Sequence, residues 1–185
     1  MIILYPKSYY HAWKDPRWQV AMDEEINSLQ KNTTWELVSL PPGRKLVDCK
    51  WVFQNKVDAD GSTYKYKGSL VAKGFSQVQG VDYHDTFALV AKMDSIRLVL
   101  AISASKHWEV HHMDVKSAFL HGDIHEEIYM KHHEGYISDS YLVCKLKKSL
   151  YRLKQAPREW YSKMDAFLLS QNFQRCRSDP NVYIQ

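Results

Sequence analysis

The chain has 185 residues, 45% of them hydrophobic and 25% charged, with a formal net charge of +4; this is the make-up of a globular protein of one domain, or of one domain and part of another. No run approaches the roughly 20 apolar residues that span a bilayer. Met1-Ile2-Ile3-Leu4-Tyr5 is too short for a signal-peptide core, which leaves an intracellular protein of cytoplasm or nucleus, neither secreted nor membrane-bound, as the expectation.

Asp15-Pro16 reads as an N-cap followed by proline at the first helical position. Trp18, Met22, Ile26 and Leu29 then fall on one face of a helix running to about Lys31, with residues 1–14 as an extension ahead of it. Asn32-Thr33-Thr34 closes the helix, and Pro41-Pro42-Gly43 marks a loop. From Val47 to Val57 apolar and polar residues alternate, with Val47, Cys49, Trp51 and Phe53 on one face. Asp58-Ala59-Asp60-Gly61 is a turn by composition. The alternation resumes from Tyr64 to Lys73, placing Tyr64, Tyr66, Leu70 and Ala72 on one side and Lys65, Lys67 and Lys73 on the other. The two runs predict a long β-hairpin with an apolar and a basic face. A row of lysines suits phosphate contacts, though an ordinary solvated strand face has the same pattern. A calcium loop is rejected at the turn, because Lys56 and Lys67 stand where its first and last ligands belong.

Gly74 to Phe87 has the composition of a loop. A helix from Asp94 to about Lys106 carries Ile96, Val99, Leu100 and Ser103 on its expected buried stripe. Trp108 to Met113 reads as a strand, running on to a turn closed by His121-Gly122. Glu127–Met130 and Tyr141–Leu146 read as short strands around a turn at Gly135. Pro157 opens a last helix, with Trp160, Met164, Phe167, Leu168 and Gln171 at helical spacing. Helices and strands without regular alternation indicate an α+β architecture.

Cys49, Cys144 and Cys176 stand far apart without a Cys-x-x-Cys pair, which favours free thiols over a disulfide framework or zinc ribbon. The histidine pairs His107/His111, His121/His125 and His132/His133 lack the helical setting or the partner that a zinc site needs. Asp114, at the end of the expected strand between Met113 and Val115, is the leading candidate for chemistry. A carboxylate in such company costs free energy unless it meets a metal, a cation or water; by spacing alone, a cap for the following turn serves as well. Basic residues crowd Lys65–Lys73 and Lys145–Arg158, where Lys65, Lys154 and Arg158 are candidates for a nucleic-acid backbone.

Ordered motifs run through nearly the whole chain. They include Trp18 through Met22 with Glu25, Asn32 with Thr34-Trp35, and Lys50-Trp51-Val52-Phe53. They continue through Leu70-Val71-Ala72-Lys73-Gly74-Phe75-Ser76-Gln77, Met113-Asp114-Val115-Lys116-Ser117-Ala118-Phe119-Leu120-His121-Gly122, and Leu153-Lys154-Gln155-Ala156-Pro157-Arg158. The series resembles the reverse transcriptase of copia-type retrotransposon Pol polyproteins. The resemblance implies the fingers and partial palm of a right-hand polymerase over residues 15–185, without the final catalytic hairpin and thumb.

By the same resemblance, Asp114 is the first catalytic, magnesium-binding aspartate, and the Val115 carbonyl supports the metal. Phe119, with Ala118 beside it, is the gate against a 2′-hydroxyl; Gln155 helps place template and nucleotide; Lys67 and Lys73 belong to the hairpin that covers the triphosphate. The implied partners are an RNA or DNA template with its primer, deoxynucleoside triphosphates and the rest of the Pol polyprotein. Two-metal chemistry needs carboxylates holding ions about 3.5–4 Å apart. The family's tyrosine-valine-aspartate-aspartate hairpin does not appear before Gln185, so the implied state is a chain inactive by itself; a nucleic-acid binder without catalysis is the other reading. Departures from the family pattern are Gly68-Ser69 for alanine-arginine, Leu89 for proline, Lys131-His132-His133 in place of glutamine-proline, and Arg152 for glycine.

Overall fold

The first caps start the first helices. Ser8 caps α1 (Tyr9–Ala12), and Asp15 accepts the Arg17 N–H at 2.9 Å to cap α2 (Pro16–Lys31), whose first residue is the expected proline. The computed structural model describes residues 5–57, 63–133, 135–136 and 141–185. Trp18, Met22, Ile26 and Leu29 are all buried, as their spacing predicts. Each such side chain, fully buried, stabilises the fold by about 1.5–3 kcal/mol. Tyr9 and Ala12 of α1 pack into the same cluster as Trp18 and Phe53, so α1 shares the core of α2.

A strand absent from the expected elements follows, β1 (Trp35–Ser39), then β2 (Leu46–Val47). The hairpin is present as β3 (Cys49–Val57) and β4 (Thr63–Ala72), in register from Cys49 opposite Ala72 to Lys56 opposite Lys65. This register puts Trp51, Phe53 and Leu70 on one face and Lys50, Lys56, Lys65 and Lys67 on the other. Two details differ from the alternation. Val47 belongs to β2, across the break at Asp48, and Val71 is buried on the nominally basic face, whose β4 lysines therefore end at Lys67. The turn at 58–61, with the rejected calcium loop, lies outside the described residues.

Downstream come α3 (Met93–Ser105), β5 (Tyr129–Met130), β6 (Leu142–Leu146) and α4 (Ala156–Ser170), then a small ribbon of β7 (Gln174–Arg175) and β8 (Tyr183–Ile184). Strands β1, β6, β5 and β2 form a sheet in that order, with β2 and β5 parallel and the other pairs antiparallel. The sheet, α2 and the end of the hairpin bury Leu29, Leu70, Ile128, Met130, Cys144 and Leu150 between them. Its elements follow no repeating order, which makes the fold a mixture of helix and strand. No helix among the described residues is long and apolar enough to cross a membrane. Cys49, Cys144 and Cys176 are not joined in disulfides.

Two expectations are corrected. Residues 108–115 form no strand: Trp108, Val110 and Met113 are 63%, 56% and 84% exposed. A strand exists through its neighbour's hydrogen bonds, and no described segment lies alongside to supply them. Helix α3 is where the periodicity puts it, but Ile96, Val99 and Leu100 face solvent and only Ser103 of the expected stripe is buried. Periodicity reports an apolar face; it does not supply the surface that covers it. Helix α4 likewise leaves Phe167 58% exposed, while Glu159 and Asp165 are buried through ion pairs with Arg158 and Arg175.

Candidate functional site

A cleft of about 560 Å³ opens between α2, the outer part of β3–β4 and the segment from Asp114 to Phe119. Three features of the sequence make it. Helix α2 approaches β4 closely because residue 68 is glycine: a Cβ there would lie 3.3 Å from Met22 Cγ. The strand edge is held by Glu25, whose Oε1 accepts the Leu70 N–H at 3.1 Å, and by the Tyr151 carbonyl, which accepts the Ala72 N–H at 3.0 Å. Ser117 adopts a left-handed backbone (φ 53°), turning the chain from the exposed Asp114 into the short 3-10 turn Ala118–His121.

Lys56, Lys65 and Lys67 line the hairpin wall, and Lys116 stands with Asp114 on the opposite one. Phe119 is half-buried and meets Tyr151 edge-on, with ring centroids 5.5 Å apart. The Tyr151 phenol is pushed up by burial, against a hydrogen bond with Ser117 that lowers it, with Glu25 and Asp114 adding to the rise. Burial pushes the Glu25 carboxyl up to about 7, against the pull of the Leu70 N–H and of Lys67. The cleft thus joins cationic, acidic and aromatic groups drawn from segments of the chain that are distant in sequence.

Of the residues singled out in the sequence, Asp114, Val115, Ala118, Phe119, Lys65 and Lys67 line this cleft. Gln155 does not. Its side chain is fully buried, donating to the Asp82 carbonyl at 2.9 Å and accepting from Gln77 Nε2 at 3.0 Å, and so ties the 77–82 loop to the start of α4. Lys73 lies past the end of β4, paired with Asp48 at 3.2 Å. Lys154 stands over the Tyr83 ring. Arg158 lines a separate groove of about 450 Å³ with Arg44, His84, His125, Glu126 and Glu127.

Sequence reasoning passed over Lys56, Lys116 and Glu25 as site residues. Glu25 did carry a signal, as a carboxylate immediately beside Ile26 on the buried stripe of α2. The two lysines carried none beyond their charge.

Magnesium, which the sequence resemblance implies, meets a partial fit. Asp114 is one exposed carboxylate, and the described residues bring together no group of three or more side chains able to hold a metal. One carboxylate can share a single ion with phosphate oxygens. A pair of ions held about 3.5–4 Å apart needs carboxylates grouped together, and the described residues present no such group.

Residues 32–185 match the family model described as reverse transcriptase (RNA-dependent DNA polymerase). The chain is 52% identical over 89% of its length to the retrovirus-related Pol polyprotein from transposon TNT 1-94 of Nicotiana tabacum. It is 42% identical over 97% of its length to that from transposon RE1 of Arabidopsis thaliana. It is also 28% identical over 82% to the truncated transposon Ty1-A Gag-Pol polyprotein of Saccharomyces cerevisiae. The chain spans 13%, 12% and 12% of the length of these three relatives. No solved structure matches it. With the matched region running from the end of α2 to the last residue and taking in Asp114 and the hairpin wall of the cleft, the chain belongs to the reverse transcriptase family, as a domain of a copia-type Pol polyprotein.

Proposed function

We propose that the cleft between α2, the β3–β4 hairpin and the Asp114–Phe119 segment receives the triphosphate and primer end in RNA-directed DNA synthesis. In this reading α2 and the hairpin are the fingers of a right-hand polymerase, and the segment carrying Asp114 belongs to its palm. The observation that carries it is the convergence of Lys65, Lys67, Asp114 and Phe119 on one opening. Lysine ammonium groups on a rigid hairpin bind phosphate oxygens as point charges and orient the chain of phosphates along the wall. Phe119, braced by Tyr151, offers a flat apolar edge where a sugar would lie; a 2′-hydroxyl there would be left without a partner. Asp114, exposed at the mouth, is the residue to share a magnesium ion with those phosphates. The bound ion would draw off phosphate charge; the lysines, Phe119 and Asp114 bind and orient. The partners in this reading are a template with its primer, deoxynucleoside triphosphates and the rest of the polyprotein.

Alanine at both Lys65 and Lys67 tests the assignment. Primer–template binding, followed by fluorescence anisotropy across a salt series, should weaken severalfold, and the slope against log salt should fall by about 2. Unchanged affinity and slope in a folded variant would remove the hairpin from the interface.

A further inference from the structure

Glu25 is a carboxyl of the cleft for which the polymerase reading has no use. It projects from the middle of α2, half-buried, and its Oε1 holds the Leu70 N–H at 3.1 Å. That N–H lies on the open edge of β4, two residues beyond Gly68 and three beyond Lys67. The bond therefore sets how close the lysine-bearing end of the hairpin stands to the helix. Lys67 is the cation that acts on Glu25 most directly.

The charged groups around it come from every element of the cleft. Glu24 shares its helix, Lys56 comes from β3, and Lys65 and Lys67 from β4. Asp114 and Lys116 face them across the opening, with the Tyr151 phenol at the base. Among the described residues, four lysines thus meet three carboxyl groups. With Glu25 neutral, the lysines outnumber the carboxylates four to two; with Glu25 ionised, four to three.

We infer that Glu25 is a positioning residue of the phosphate wall: its Oε1 ties β4 to α2, as a neutral acid it leaves Lys67 free for a polyphosphate, and as a carboxylate it draws Lys67 back and repels the same anion. The inference rests on the polyphosphate reading of the cleft and adds a control to it. Burial favours the neutral form up to about pH 7, so the change falls within the physiological range. Among the described residues no histidine lines the cleft, so no imidazole titrates against it there.

The test is inorganic tripolyphosphate, titrated by calorimetry into the chain and into Glu25→Gln at pH 6 and pH 8 in low salt. The amide oxygen of glutamine keeps an acceptor for Leu70, so the fold is retained. Protonation of the probe itself affects both proteins alike and cancels in their ratio. At pH 6 the affinities should agree; at pH 8 the variant should bind about fivefold more tightly, the effect of one charge at short range in a wet cleft. Binding by both proteins with a ratio that stays at one overturns the role of Glu25 and leaves the cleft reading intact. Binding by neither, at either pH, overturns both. A carbon-detected titration of the Glu25 carboxyl, with a midpoint near 7 expected, checks the same group without any ligand; a midpoint near 4.5, the ordinary value, contradicts the inference.

Discussion

Arg152 shows how a single residue can store strain. Its φ is 69°, a left-handed backbone that costs an ordinary side chain roughly 1 kcal/mol or more and glycine almost nothing. Arg152→Gly should therefore stabilise the chain by about 1 kcal/mol, less the extra freedom of glycine in the unfolded state. Urea denaturation would read it as a higher midpoint at unchanged slope; a lower midpoint would place a stabilising contact on the arginine.

Glu25 gives a residue-scale prediction about pH. Its folded value, about 7, lies above the ordinary 4.5, so the folded state holds more protons than the unfolded state between them. Stability is then full below pH 4.5 and lost as pH rises through 7, by roughly 3 kcal/mol for a shift of that size. Glu25→Gln should flatten the dependence between pH 5 and 8. A wild-type stability that rises across that window would contradict the assignment.

Among the elements, α2 and the β3–β4 hairpin were the most legible in the sequence, because proline, cap and period coincide in one and strict alternation in the other. Leu70, fully buried where hairpin meets helix, should cost about 2–5 kcal/mol as alanine. Helix α3 was legible as a helix but not as an exposed one: Leu98 is 61% exposed among apolar neighbours. Leu98→Lys should change stability by no more than about 0.5 kcal/mol while reducing self-association, which sedimentation velocity would measure. A large loss of stability would mean that the helix is covered in solution. The strand expected at Trp108–Met113 shows the limit of pattern reading, since a strand depends on a neighbour that its own residues do not encode. β1 was missed for a related reason: five residues, Trp35 to Ser39, are too few to establish a period, and β6 is what orders them.

At the scale of the molecule, motif order revealed the family, and folding revealed which motif residues meet. Asp114, Phe119, Lys65 and Lys67 were legible as candidates and share a cleft. Gln155, Lys73 and Arg158 were equally legible and lie elsewhere, held by Gln77, Asp48 and Asp85 respectively. Glu25 and Lys116, 91 residues apart, have no sequence relation that would predict their meeting. Net charge was equally uninformative: +4 is modest, and the cleft's character comes from four lysines on two walls. The most direct test of the central claim is to titrate the isotope-labelled chain with a deoxynucleoside triphosphate and magnesium and follow its backbone amides by NMR. The account predicts shifts concentrated at residues 65–68 and 114–119. Shifts centred instead on Arg44, Glu127 and Arg158, or none at millimolar nucleotide, would contradict it.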